Sequence, residues 1–358
     1  MMKKFVLVYA LVAGFFPVFA YAQENPLLKV EFWQTATVED VAGILDSGAD
    51  IHTHDGIHGI TPLHLASAHS EKPEVVALLL ERGADIDARS DTGNTPLYVA
   101  SANNEIPAVV ALLLDAGADM EAQGDDGETA IHGAAGLSKT PEVISLLLDR
   151  GADINARDEN GTTPLHFAAG LSETPEVVAL LLDRGADIEA RNKNGWTPLH
   201  AAANSETPEV VALLLDRGAD LEARVVDNGF TTLHMASGFS KTPEVVAVLL
   251  DNGADIEAHS ENGGTPLHIA SFISTPEIVE LLLDGGANIE AIDKNGLTPL
   301  HLAVITNEEP KLISLLLDRG ANAKAQDNEG KTPFDIAKGN EQLKETDVYW
   351  RLNDAQYQ

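Results

Sequence analysis

One recurring tetrapeptide governs what this chain can become. Thr-Pro-Leu-His or a near variant starts at Thr61, Thr95, Thr129, Thr163, Thr197, Thr231, Thr265 and Thr298, and Thr-Pro-Phe-Asp follows at Thr332. The spacing is 34 residues six times, then 33, then 34. A period of that length means one supersecondary unit copied along the chain, and no copy can bury its apolar face alone.

Within one copy, Thr163-Pro164-Leu165-His166-Phe167-Ala168-Ala169 reads as a short helix with a Thr N-cap, Pro at its first position and small residues that allow close helix contact. Gly170 to Thr174 turns the chain. Pro175 then opens a second helix whose Val177, Val178, Leu180, Leu181 and Leu182 form a broad apolar face, and Gly185 stops it in the left-handed conformation. An extended run over 186–191 leads to Asn194-Gly195, a tight turn before the next Thr-Pro. Proline placement supports this division, because proline inside a helix costs about 3 kcal/mol but is tolerated in its first turn. Fifteen of the 17 prolines fall at these helix starts, leaving only Pro17 and Pro26 elsewhere.

These residues resemble the ankyrin repeat family: Thr-Pro-Leu-His, a two-helix hairpin, then Gly-Ala-Asp before a finger. The resemblance covers residues 32–338. It implies an all-α solenoid of stacked helix-turn-helix units with β-hairpin fingers, whose inner helices and fingers line a concave binding face. The copies depart from a 33-residue unit by one extra residue. In the Thr163 and Thr231 copies it lies in the turn between helices; in the Thr197 copy Val225-Val226 lengthens the finger; the Thr265 copy lacks both. The ends need sealing, so residues 23–60 are expected to form an N-terminal extension and capping repeat, 61–331 eight repeats, and 332–358 a C-terminal capping repeat with Leu343, Val348 and Trp350 turned inward. Residues 1–22 have the pattern of a secretory signal: Lys3 and Lys4, an uncharged stretch from Phe5, and Ala20-Tyr21-Ala22 at the exit. The expected location is periplasmic or secreted from a bacterium, with no membrane association after cleavage.

With 23 Lys+Arg against 56 Asp+Glu, the net charge of -33 repels phosphate backbones and disfavours nucleic acid as a partner. Zero cysteines remove disulfides, thiolate metal sites and Cys nucleophiles. The histidines of the tetrapeptide, His64, His132, His166, His200, His234, His268 and His301, invite an acid-base reading. The resemblance instead assigns them to hydrogen bonds that tie neighbouring hairpins. His52, His54, Asp55 and His58 break the finger pattern and form a weak candidate metal cluster without cysteine or a recognised zinc spacing. Gly330-Lys331-Thr332 mimics the end of a phosphate loop, but Ala325 stands where its first glycine belongs. No catalytic constellation is visible, and neither an enzyme activity nor a cofactor is expected.

Recognition belongs where the copies differ. The residue before each Thr-Pro is Ile60, Asn94, Glu128, Thr162, Trp196, Phe230, Gly264, Leu297 or Lys331; in the family this position faces the groove. Trp196, Phe230 and Leu297 are candidate partner contacts, with Arg191, Lys193 and Arg224 on the fingers and Phe272 at a first-helix end, where packing between units competes as an explanation. The expected protein is a monomeric scaffold or adaptor for a protein partner. A metal- or pH-responsive envelope protein and a secreted host-directed factor are the alternatives.

Overall fold

The computed structural model describes residues 25–306, 310–355 and 357. The expected signal segment, residues 1–22, lies outside the described residues. Those described form twenty α-helices and one 3-10 turn, with no strand. Each of the fifteen prolines expected at a helix start opens one, and the two remaining Thr-led first helices open at Ala130 and Thr232. No described helix is long and apolar enough to cross a membrane.

The chain divides into two compact units. Of the described residues, the first comprises 25–134 and 142–152, the second 135–141 and those from 153 onward. In the first unit, Val30–Thr35 and Val38–Asp46 seal the front: Trp33 is fully buried and donates through Nε1 to the Leu27 carbonyl at 3.2 Å. Pro62–His69 packs on Pro96–Asn103, while Val38–Asp46, Pro73–Glu81 and Pro107–Asp115 stack in a parallel row.

In the second unit the first helices Pro164–Leu171, Pro198–Ala202, Thr232–Phe239, Pro266–Ile273, Pro299–Thr306 and Pro333–Ala337 stack in sequence order. Alongside them run Pro175–Asp183, Pro208–Asp216, Pro243–Asp251, Pro276–Asp284, Pro310–Asp318 and Asp347–Ala355. The core lies between the rows. Leu165, Ala168, Val177, Val178 and Leu181 have no exposed surface, and their counterparts in the other copies are buried. Truncating one such leucine to alanine costs roughly 2–5 kcal/mol. Gly185, at φ +92°, ends its helix as expected.

Two expectations need correction. The fingers form, but as hydrogen-bonded turns without strands. Asn192 N–H donates to the Trp196 carbonyl and Gly195 N–H to the Asn192 carbonyl, so this finger closes within five residues, and those at Asp55 and Val225 within six, too short for a β-ladder. At the back, Leu343 and Val348 are buried as expected, but Trp350 is 59% exposed. Asn340 Oδ1 accepts from Gln342 and Leu343 N–H and holds a turn there, so the helix begins only at Asp347. Val348 and Leu352, four residues apart, then share the inward face, and Trp350 between them points outward.

Candidate functional site

The recurring polar groups are used up inside the scaffold. Thr61, Thr95, Thr163, Thr197, Thr231, Thr265 and Thr332 adopt extended geometry as N-caps, and the Thr N–H donates to the Nδ1 of the His three residues on, at 3.1–3.3 Å, in the copies at Thr61, Thr129, Thr163, Thr197, Thr231, Thr265 and Thr298. With Nδ1 accepting, the proton sits on Nε2. His64, His166, His234, His268 and His301 donate it to the carbonyls of Asn94, Trp196, Gly264, Leu297 and Lys331 at 2.9–3.2 Å. These histidines are ties between neighbouring copies. Burial pushes their pKa values down, for His200 and His234 to about 4. His200 feels the Phe230 carbonyl, yet its Nε2 makes no hydrogen bond; the extra residue Val225-Val226 lies in the finger it should tie.

The acceptor in each tie is the backbone carbonyl of the residue before Thr-Pro, so the tie itself makes no demand on that residue's side chain. This is why the position varies so freely. One copy departs in a paired way: Tyr98 replaces His, and its hydroxyl donates to buried Glu128, thirty residues later. Burial and the Glu128 carboxylate push the Tyr98 pKa well up. Glu128 is therefore a scaffold residue. The sequence carried the signal, a Tyr in the His position answered by a carboxylate at the next finger exit.

The candidate contacts separate into three kinds. Trp196, Phe230 and Leu297 are half-buried at the finger exits, and the Phe230 ring stacks on His234 at 5.1 Å. Arg191 and Arg224 are exposed but engaged: Arg191 Nη1 donates to the Gly195 and Arg224 carbonyls, and Arg224 Nη1 to the Gly229 and His259 carbonyls. Arg157 does the same with Gly161 and Arg191, completing an arginine ladder along the fingers. The sequence marked these cations without revealing that the next finger's backbone holds them. Lys193 is exposed, with its N–H donated to the Asn160 carbonyl. Phe272 is 42% exposed at the end of its helix.

Among the weak metal candidates, His52 and His54 are exposed, and His54 Nδ1 accepts from Gly56 N–H. His58 Nδ1 lies 3.0 Å from Asp55 Oδ2, while Asp55 Oδ1 accepts from the N–H groups of Ile57, His58 and Ile60. The cluster is a finger with one extra residue, folded around Asp55. Among the described residues no three potential ligands converge.

A groove of about 400 Å³ is lined by Leu297 from a finger exit, Ile305 from a first-helix end and Ile336 from the next first helix, with Asp327, Glu329 and Lys331 on its wall. Finger exits and first-helix ends thus border one surface. Trp196 and Phe230 occupy the register of Leu297 in earlier copies, and Phe272 that of Ile305. The arrangement offers apolar contact and peptide hydrogen bonding, with every tetrapeptide Thr and His already committed to packing.

The family model described as ankyrin repeats (3 copies) matches residues 34–124, 102–192, 172–260, 233–327 and 267–345. The crystal structure of the ankyrin repeat domain of Bcl-3, described as a unique member of the IkappaB protein family, is 33% identical with a TM-score of 0.50, over 63% of this chain and 99% of that one. No curated protein matches the chain. Family match and helix-pair stacking agree: the chain belongs to the ankyrin repeat family, whose members are generally protein–protein interaction modules.

Proposed function

We propose that this chain is an exported, non-enzymatic scaffold that binds a protein partner along the groove of its second unit, in the periplasm or outside a bacterial cell. The observation that carries the reading is the division of labour among side chains. Repeated polar groups close the scaffold, whereas the positions that vary between copies supply apolar side chains to one groove, as Leu297, Ile305 and Ile336 do. Export is supported by the pattern of residues 1–22. A preformed surface needs little ordering on binding, so a few anchors set its affinity.

The test is capture from an envelope fraction with the chain lacking residues 1–22, followed by reconstitution with the purified partner. Replacing Trp196 and Phe230 together with alanine is expected to weaken that complex at least about tenfold with the helical circular dichroism unchanged. Unchanged affinity would remove these two residues from the interface.

A further inference from the structure

We propose that the groove of the Thr265 and Thr298 repeats receives a cationic polypeptide segment with bulky apolar side chains, contributed by the partner. The assignment rests on the groove reading above and specifies its occupant.

Two independent departures from the repeat pattern coincide here. The first is apolar exposure. In the Thr163 and Thr231 copies the turn between helices is one residue longer, closed by Ser172 and Ser240 Oγ accepting from Thr174 and Thr242 N–H, and the helix-end Leu171 and Phe239 are half-buried. The Thr265 copy lacks that residue. Its first helix keeps eight residues, Pro266–Ile273, and leaves Phe272 42% and Ile273 45% exposed, while Ile305 in the next copy is 44% exposed. Leu297, Ile305 and Ile336 line the groove, and Phe272 holds the register of Ile305 one copy earlier. Clustered exposure of this kind marks an interaction surface.

The second departure is loss of positive charge. The arginine ladder of Arg157, Arg191 and Arg224 stops there: the next three fingers carry His259, Ile292 and Gln326 in the same position, and Ile292 is 61% exposed. The arginine that follows the second helix at Arg184 and Arg217 becomes Asn252 and Gly285. Residues 242–306 consequently hold ten carboxylates and one cation, Lys294. Arg319 engages two of the ten, Glu280 and Asp284. Lys331 on the groove wall is bonded to Glu329 at 2.6 Å, and Asp327 lies beside it. An apolar floor inside a negative field repels acidic partners and attracts basic ones, with the apolar side chains supplying anchors.

The probe is a fluorescent leucine–lysine peptide patterned at the helical period, titrated by anisotropy into the chain lacking residues 1–22. Its scrambled isomer and a leucine–glutamate counterpart serve as controls. The patterned cationic peptide is expected to bind at least about tenfold tighter than its isomer, and the acidic peptide not at all. The double variant F272S/I305S and the ladder-restoring I292R should each weaken binding several-fold, with helical circular dichroism retained because all three side chains are exposed. Equal binding of the two cationic peptides, or indifference to F272S/I305S, overturns the assignment. The captured partner separates this failure from that of the groove reading. Dependence on Trp196 and Phe230 but not on Phe272 and Ile305 keeps the groove and removes this occupant; independence from both pairs removes both.

Discussion

Protonating His234 would place a proton on Nδ1, the atom that accepts Thr231 N–H at 3.2 Å, and would charge a ring with no exposed surface. Burial therefore holds its pKa near 4, as it does for His200, against an ordinary value of 6.5. A pKa lower in the folded than in the unfolded chain gives a contribution fully present above pH 6.5 and lost as pH falls toward about 4. For each of these two imidazoles the loss amounts to about 3 kcal/mol. His64, His166, His268 and His301 are shifted in the same direction, also by burial first. Ordinary carboxyl groups protonate below pH 5, so the interval from 6.5 to 5 is the one that reads the imidazoles. Asp335, held down to about 2 by Lys338 and the Thr332 cap, keeps its contribution until pH falls below 3.8. Urea midpoints at constant ionic strength should fall steadily between pH 6.5 and 5, and a flat profile would contradict neutral, buried imidazoles. The role of these histidines was legible through the family resemblance that the repeated tetrapeptide carries. The arginine ladder was not, since it depends on which atom lies across the gap to the next copy.

At the scale of the element, the finger is the most constrained part of the fold. Gly195 has φ +77°, and a Cβ there would meet Val226 Cγ2 at 2.5 Å and the Val226 backbone nitrogen at 3.0 Å. Gly218, after the second helix, has φ +91° with nothing within 4 Å. Alanine at Gly218 meets only the left-handed backbone penalty of about 1 kcal/mol, whereas alanine at Gly195 must also displace the neighbouring finger. G195A is expected to cost about 1–2 kcal/mol more than G218A, measured as the difference in denaturant midpoints; equal costs would show that the fingers are not in close register. The sequence located the extra residue at Val225-Val226 but not its consequences. Arg224 bonds a glycine carbonyl five residues on, where Arg157 and Arg191 reach four, and His200 loses its tie. Trp350 was misplaced for a related reason: composition marked a polar helix with apolar residues, while its phase depended on the turn around Asn340.

Across the second unit, the ties that hold one repeat reach the adjoining one. First and second helices pack on their neighbours in order. The acidic surplus takes part in the same pattern, because Glu189, Glu222, Glu257 and Glu290 accept the backbone N–H of Asp220, Asp255, Asn288 and Asn322 one repeat later. Part of the charge that disfavours nucleic acid thus also serves as backbone caps. Stability in such an array is a sum of local and nearest-neighbour contributions, so damage at an end should stay near that end. Deleting residues 340–358 strips Leu343, Val348 and Leu352 from the last second helix, Pro310–Asp318, and the last first helix, Pro333–Ala337. Three buried aliphatic side chains at about 1.5–3 kcal/mol each correspond to roughly 5–9 kcal/mol withdrawn from the terminal repeat. That exceeds what one repeat can spare, so the end should fray: dye binding to exposed apolar surface rises, hydrogen exchange accelerates over residues 299–337, and the helical signal falls only by the share of those elements. Loss of the whole helical signal would mean that distant repeats depend on the cap, which nearest-neighbour packing does not allow.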